Sequence, residues 1–188
     1  MKKTVYKHPE FVIQTADKRI ENENKRLWLS LTIDNERNKS IVVILKNPSK
    51  ATKDISDKTV YTVVSYIYKN RDNFKQFQNI GKVIILNLIP FYETYSDQLI
   101  KSNFNLADIE NLKTIKDITS KHTNVIVAWG DHPKGLKKVY EEIKLSVFTI
   151  LNVNKNDMYY VDKLSKSGNP KHGQVWSYKD PLKQYNSF

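Results

Sequence analysis

Three apolar runs constrain this chain more than anything else in it: Ile41-Val42-Val43-Ile44-Leu45, Val83-Ile84-Ile85-Leu86 and Val125-Ile126-Val127-Ala128. They are continuous rather than alternating and rich in β-branched residues, as strands are when both of their faces are covered. A fourth run, Val147-Phe148-Thr149-Ile150-Leu151, has the same character and is read as a further strand. Leu27, Leu29, Leu31 and Ile33 differ, because they alternate with polar residues and with Trp28. That period of two marks an edge or antiparallel strand, ended by the turn pair Asp34-Asn35.

Between the runs lie segments of helical period. Residues 59–77 carry Val60, Val63, Val64, Ile67 and Tyr68 near a 3.6-residue repeat, and residues 106–120 carry Ile109, Leu112, Ile115 and Ile118. Pro133 to Lys144 reads as a short amphipathic helix. Strands alternating with helices predict an α/β fold, a three-layer α/β/α sandwich around a mainly parallel central sheet. Residues 1–24 are polar and read as an N-terminal arm, leaving 25–188 as a single domain.

The chain has 188 residues, enough for one domain with a sizeable core, and no apolar run approaches the roughly 20 residues of a membrane span. A cytoplasmic monomer that does not engage membranes is expected. With no cysteine and four histidines, none in a close i,i+4 pair, thiol catalysis and disulfides are excluded and a metal centre is not expected. No cofactor motif appears. Lys and Arg exceed Asp and Glu by 31 to 20, a formal charge of +11 that points to a polyanionic partner. The residues from Lys163 to Lys183 concentrate that charge in a loop-like tail interleaved with Trp176 and Tyr178.

Ligands of open parallel sheets bind beyond the carboxyl ends of the strands. Those ends here read Lys46-Asn47-Pro48-Ser49, Asn87 and Trp129-Gly130-Asp131-His132. Asn47 before Pro48 has an ordinary reading as a turn initiator. Asn87, a carboxamide directly after four apolar residues, either satisfies its own loop or presents a paired donor and acceptor to a ligand amide edge. Trp129 reads as core. His172 reads as an exposed residue of a basic loop.

Taken in order, Leu45-Lys46-Asn47-Pro48-Ser49-Lys50-Ala51, Ser56-Asp57-Lys58-Thr59, Ile85-Leu86-Asn87-Leu88, Ala128-Trp129-Gly130 and Gly168-Asn169-Pro170-Lys171-His172 resemble a bacterial family of uncharacterised domains. Its segments are L-N-P-S-x-A, D-x-T, V-N-L, A-W-G and G-x-P-x-H. The same order is similar to a divergent uracil-DNA glycosylase superfamily, with strand ends such as G-I-N-P-G, L-L-L-N and L-W-G and a late histidine loop. That resemblance implies a protein that binds DNA, single- or double-stranded, and hydrolyses the N-glycosidic bond of uracil or a related altered base. It implies Asn47 as the residue orienting the attacking water and His172 as the group stabilising charge on the departing base. Asn87 would read the extruded base beside Pro48, with Tyr61 or Phe91 stacking on it. Ser49, Lys50, His132, Lys134, Lys166 and Lys171 would hold the DNA. Two positions depart from the pattern: Leu45 stands where the first motif opens with glycine, and Gly173 follows the histidine where proline is expected. The alternative is a catalytically inactive DNA- or base-binding module of the same fold, from a mobile genetic element or a phage-defence system.

Overall fold

A computed structural model describes residues 6–48, 51–92 and 107–185. Seven strands form one mixed sheet: β1 (Gln14–Ile20), β2 (Lys25–Thr32), β3 (Lys39–Leu45), β4 (Ile80–Asn87), β5 (Asn124–Val127), β6 (Asp157–Val161) and β7 (Leu182–Gln184), in the order β1-β2-β4-β3-β5-β6-β7. The pairings β4/β3, β3/β5 and β5/β6 are parallel, whereas β1/β2, β2/β4 and β6/β7 are antiparallel. The expectation of a mainly parallel sheet is corrected accordingly. A parallel centre is flanked on both sides by antiparallel strands contributed by the two ends of the chain.

The described helices are α1 (Lys58–Asn70), α2 (Ile109–Thr119) and α3 (Lys137–Val153). Alternation along β3 sorts the core into two halves. Ile41, Val43 and Leu45 pack with Val60, Val63, Val64 and Ile67 of α1, while Val42 and Ile44 pack with Ile115 of α2 and Tyr140, Ile143, Val147 and Leu151 of α3. The three continuous runs are therefore apolar throughout because each residue meets one half or the other. Asp57 caps α1, its Oδ1 accepting from the Val60 amide (2.8 Å), and Asp108 caps α2 in the same way through Asn111 (2.8 Å).

Three expectations change. Val147 to Leu151 lies within α3, not in a strand: Tyr140, Ile143, Val147 and Leu151 recur at helical spacing, and Phe148 and Ile150 are half-covered at the margin of the same core. The segment expected as an arm supplies β1, which pairs along most of β2, so β2 is antiparallel but not an edge. The strands β6 and β7 were absent from the sequence reading. Trp129 is core, fully buried, with its ring edge-on to Phe148 at 5.3 Å. Among the described residues no helix is long and apolar enough to cross a membrane.

Candidate nucleotide site at the strand ends

The carboxyl ends of β3, β4 and β5 lie side by side. Leu45 is opposite Asn87, and the ladder continues past both, with the Leu88 amide donating to the Leu45 carbonyl (2.9 Å) and the Ile89 amide to the Lys46 carbonyl (2.9 Å). On the other side of β3, the Ala128 amide donates to the Ile44 carbonyl (2.9 Å). Asn87 occupies the register of Val83 and Ile85, so its side chain belongs to the α1 side of the sheet. Asn47 follows two residues after Leu45, half-buried, with its Nδ2 donating to the Pro48 carbonyl (3.3 Å).

Residues 170–173 complete this rim from far along the chain. The Gly130 amide donates to the Pro170 carbonyl (3.0 Å) and the Gly173 amide to the Ala128 carbonyl (3.3 Å), which lays the late loop along the end of β5. Two glycines permit the approach. Gly130 has φ +68° and a Cβ there would lie 3.0 Å from the His172 Cβ, whereas a Cβ on Gly173 would lie 2.6 Å from Val63 Cγ2 of α1. The loop is further tied down by Asn169, which accepts from Lys144 Nζ (2.5 Å) and donates to Asp131 Oδ1 (2.8 Å), while Ser165 donates to the same oxygen (2.6 Å).

His172 is consequently half-buried rather than exposed. Burial, with the nearby Lys46 charge, lowers its pKa from 6.5 to about 4, and Asp57 opposes that only in part. The imidazole is neutral at pH 7. Its Nδ1 accepts from the Gln174 amide (3.2 Å), so the proton of the neutral ring sits on Nε2 and that atom is a donor. Lys46 is itself pushed below the ordinary lysine value by burial, with Asp131 opposing.

Asn87 is fully buried, and neither its Oδ1 nor its Nδ2 has a hydrogen-bond partner among the described residues. Its main chain is well held: Asn111 of α2 donates to the carbonyls of Asn87 (2.9 Å) and Leu88 (3.1 Å) from the opposite side. The side chain is thus rigidly placed and unsatisfied. An unmade pair of this kind costs about 1–3 kcal/mol, so the carboxamide is a candidate to bond a partner with both a donor and an acceptor.

One group was invisible in the sequence. Arg26 of β2 is 1% exposed, donates from Nη1 to the Ala51 carbonyl (2.7 Å) and leaves Nε unpartnered. Burial lowers its pKa, opposed by Tyr92, Asp57 and Asp17. Asp57 is the carboxylate whose field reaches both Arg26 and His172. Its oxygens accept from the Val60 and Ala51 amides (2.8 and 3.2 Å), so it serves as a fixed cap as well as a charge.

Of the residues expected here, Asn47, buried Pro48, Asn87 and His172 are gathered on adjoining segments. Tyr61 projects from the outer face of α1 and is 43% exposed. Phe91 is 3% exposed and belongs to the opposite half of the core, under the Lys25 ammonium at 5.5 Å. His132 bonds the adjacent Pro133 carbonyl through Nδ1 (3.1 Å), and Lys134 and Lys166 are exposed. Lys171 is held between Asp162 (2.9 Å) and Asp180 (2.8 Å), an internal clamp rather than an outward cation. Ser49 and Lys50 lie outside the described residues. No group of three or more His, Cys, Asp or Glu among the described residues is placed to hold a metal ion.

A family model described as "Protein of unknown function (DUF1643)" matches residues 25–173. The chain belongs to the DUF1643 family. The matched span of the DUF1643 domain opens at the first residue of β2 and closes immediately after His172, so it contains every strand end of the rim. No curated protein and no solved structure matches the chain.

Proposed function

We propose that this protein is a uracil-DNA glycosylase-like enzyme that binds DNA and hydrolyses the N-glycosidic bond of uracil or a related altered base. The observation that carries the reading is the buried, unsatisfied Asn87 carboxamide on the strand adjoining Asn47, with His172 brought to the same rim by the late loop. The parallel centre β4-β3-β5-β6, with helices on both faces, supports the three-layer architecture of that superfamily.

A pyrimidine edge offers a carbonyl and an N–H side by side, the complement of a carboxamide's donor and acceptor. Asn87 binds that edge once the residues covering its carboxamide move aside, while Asn111 holds its main chain in place. Cleavage of the glycosidic bond leaves negative charge on the departing base. His172, neutral and protonated on Nε2, donates to the oxygen where that charge develops. A neutral donor suffices, and Lys46 supplies the nearby positive field. Asn47 takes up no proton near neutral pH and so positions the attacking water without acting as its base; as the C1′–O bond replaces the C1′–N bond, the water's proton passes to the departing base anion. Extruding the base costs a few kcal/mol, offset by cationic contacts to the phosphates.

Base release is measured as alkali-labile abasic sites in uracil-containing single- and double-stranded DNA. Release that disappears in Asn87→Ala and falls in Asn47→Ala supports the reading. Salt-sensitive DNA binding without release from any modified base favours the second reading, an inactive base-binding module. That reading rests on Asn47, a carboxamide that takes up no proton where an acid would serve as base, while the Asp57 carboxylate is held as the cap of α1 by the Ala51 and Val60 amides. Negligible DNA affinity even at low salt removes both.

A further inference from the structure

A groove of about 370 Å³ runs along the outer face of α1 where the chain leaves the His172 loop. Its floor is Tyr66 and Trp176, nearly buried and edge-on to one another at 5.1 Å. Tyr61 and Tyr178 stand on it, 43% and 54% exposed. Both rings can therefore meet a ligand without any change in the core.

The charge around the groove has one sign. Lys69 lines it with its Nζ 4.8 Å from the Tyr178 ring centre, and the Lys179 Nζ lies 5.9 Å from the same ring centre. No carboxylate is among the lining residues. The nearest acid in sequence, Asp180, already binds Lys171 (2.8 Å) and the Ser177 amide (2.8 Å). Partly exposed aromatic rings beside lysines that make no ion pair among the described residues are what successive nucleobases and their phosphates require, the ammonium groups over Tyr178 moving to a phosphate as a base takes the ring. They are poorly suited to a duplex, whose bases are already stacked. A proline-rich peptide also uses aromatic grooves, but it gains nothing from the flanking ammonium groups.

We infer that this groove binds unpaired DNA, with bases stacking on Tyr61 and Tyr178 and a phosphate near Lys69. Gly173 packs against Val63 and Leu45 three residues before Trp176, so the chain that carries His172 leads directly into the floor of the groove. As a route for the strand beside the extruded base it rests on the proposed glycosylase reading. As a binding surface it stands apart from that reading.

The test uses an unmodified thymidine oligonucleotide, free of uracil, and the full chain. Fluorescence anisotropy is expected to give tighter binding to the single strand than to the matched duplex. Tyr61→Ala and Tyr178→Ala each weaken single-strand binding about ten-fold, the scale of one lost base–aromatic stack, while Tyr61→Phe and Tyr178→Phe keep it. Both tyrosines are exposed, and unchanged thermal melting confirms that the variants fold. Asn87→Ala retains this binding, so a glycosylase reading that fails leaves the groove result intact. Alanine variants that bind the strand like the wild type overturn the inference. So does preference for the duplex, or capture of a proline-rich peptide in place of DNA.

Discussion

Protonation of His172 should be the largest single contribution to acid sensitivity on this rim, and its size follows from its surroundings. The folded-state pKa is about 4 against an ordinary value of 6.5, because burial and Lys46 penalise the imidazolium. Between these values the unfolded chain binds more protons than the folded one, so stability rises with pH. The contribution is fully present above pH 6.5 and is lost as pH falls toward 4. The whole window corresponds to about 3 kcal/mol, and the interval from about pH 7.5 to about pH 5 to about 2 kcal/mol. For a chain of this length that is a fall in Tm of about 4–8 °C. Carboxylates also begin to titrate near pH 5, and a second series with His172→Gln removes their share. The difference between wild type and His172→Gln, measured by thermal melting at both pH values, should recover the 2 kcal/mol. An NMR titration of the imidazole carbons should place its midpoint well below the random-coil value. Parallel pH profiles for the two proteins, or a midpoint near 6.5, would show that the ring is neither desolvated nor charged against Lys46, and the assignment of Nε2 as a neutral donor would go with it.

Three further outcomes are expected. Asn87→Leu replaces the unsatisfied carboxamide by an apolar side chain of the same branching and heavy-atom count but larger volume, so removal of the unmade bonds offsets the tighter packing and the variant should melt within about 1 kcal/mol of wild type while base release is abolished; a loss above about 1 kcal/mol in both Asn87→Leu and the smaller Asn87→Val would mean that the carboxamide is bonded in the native protein. Gly173→Ala forces a methyl to 2.6 Å from Val63 Cγ2 and should cost about 1–3 kcal/mol, read by denaturant melts, with the His172 loop displaced. Lys171→Ala breaks two partly exposed ion pairs, costing about 1 kcal/mol, and should leave the salt dependence of DNA binding unchanged, whereas Lys166→Ala should reduce the slope by about 0.9; equal slopes would place neither or both on phosphates.

The parts of the fold legible in sequence are those whose burial is two-sided. Ile41–Leu45, Val83–Leu86 and Val125–Val127 meet core on both faces, so the composition alone gives them away. The helix α3 is harder, because Val147, Phe148, Ile150 and Leu151 form an apolar run that a strand would show equally well, and only Tyr140 and Ile143, two turns and one turn earlier, reveal the helical period. The strand β1 has no apolar period at all, since it lies at the sheet edge with mostly half-covered side chains. At the site, Asn87 was legible as a carboxamide where an apolar residue is expected. Burial of His172 was not, because it depends on glycines packing a distant loop against α1. Arg26 was hidden for the same reason: in a segment reading Asn24-Lys25-Arg26, nothing distinguishes an interior guanidinium from a surface one.

The late loop has a consequence in time as well as in space. Both halves of the core draw on β3, β4 and β5, which are made before the chain reaches residue 130, and α3 completes one half by residue 153, yet the imidazole arrives with residues 170–173. During synthesis the rim stays open, and a growing chain that has already formed its parallel centre still lacks the His172 imidazole. The rim is completed only as the last tenth of the polypeptide docks, so an interrupted translation product lacks the imidazole that the proposed function requires.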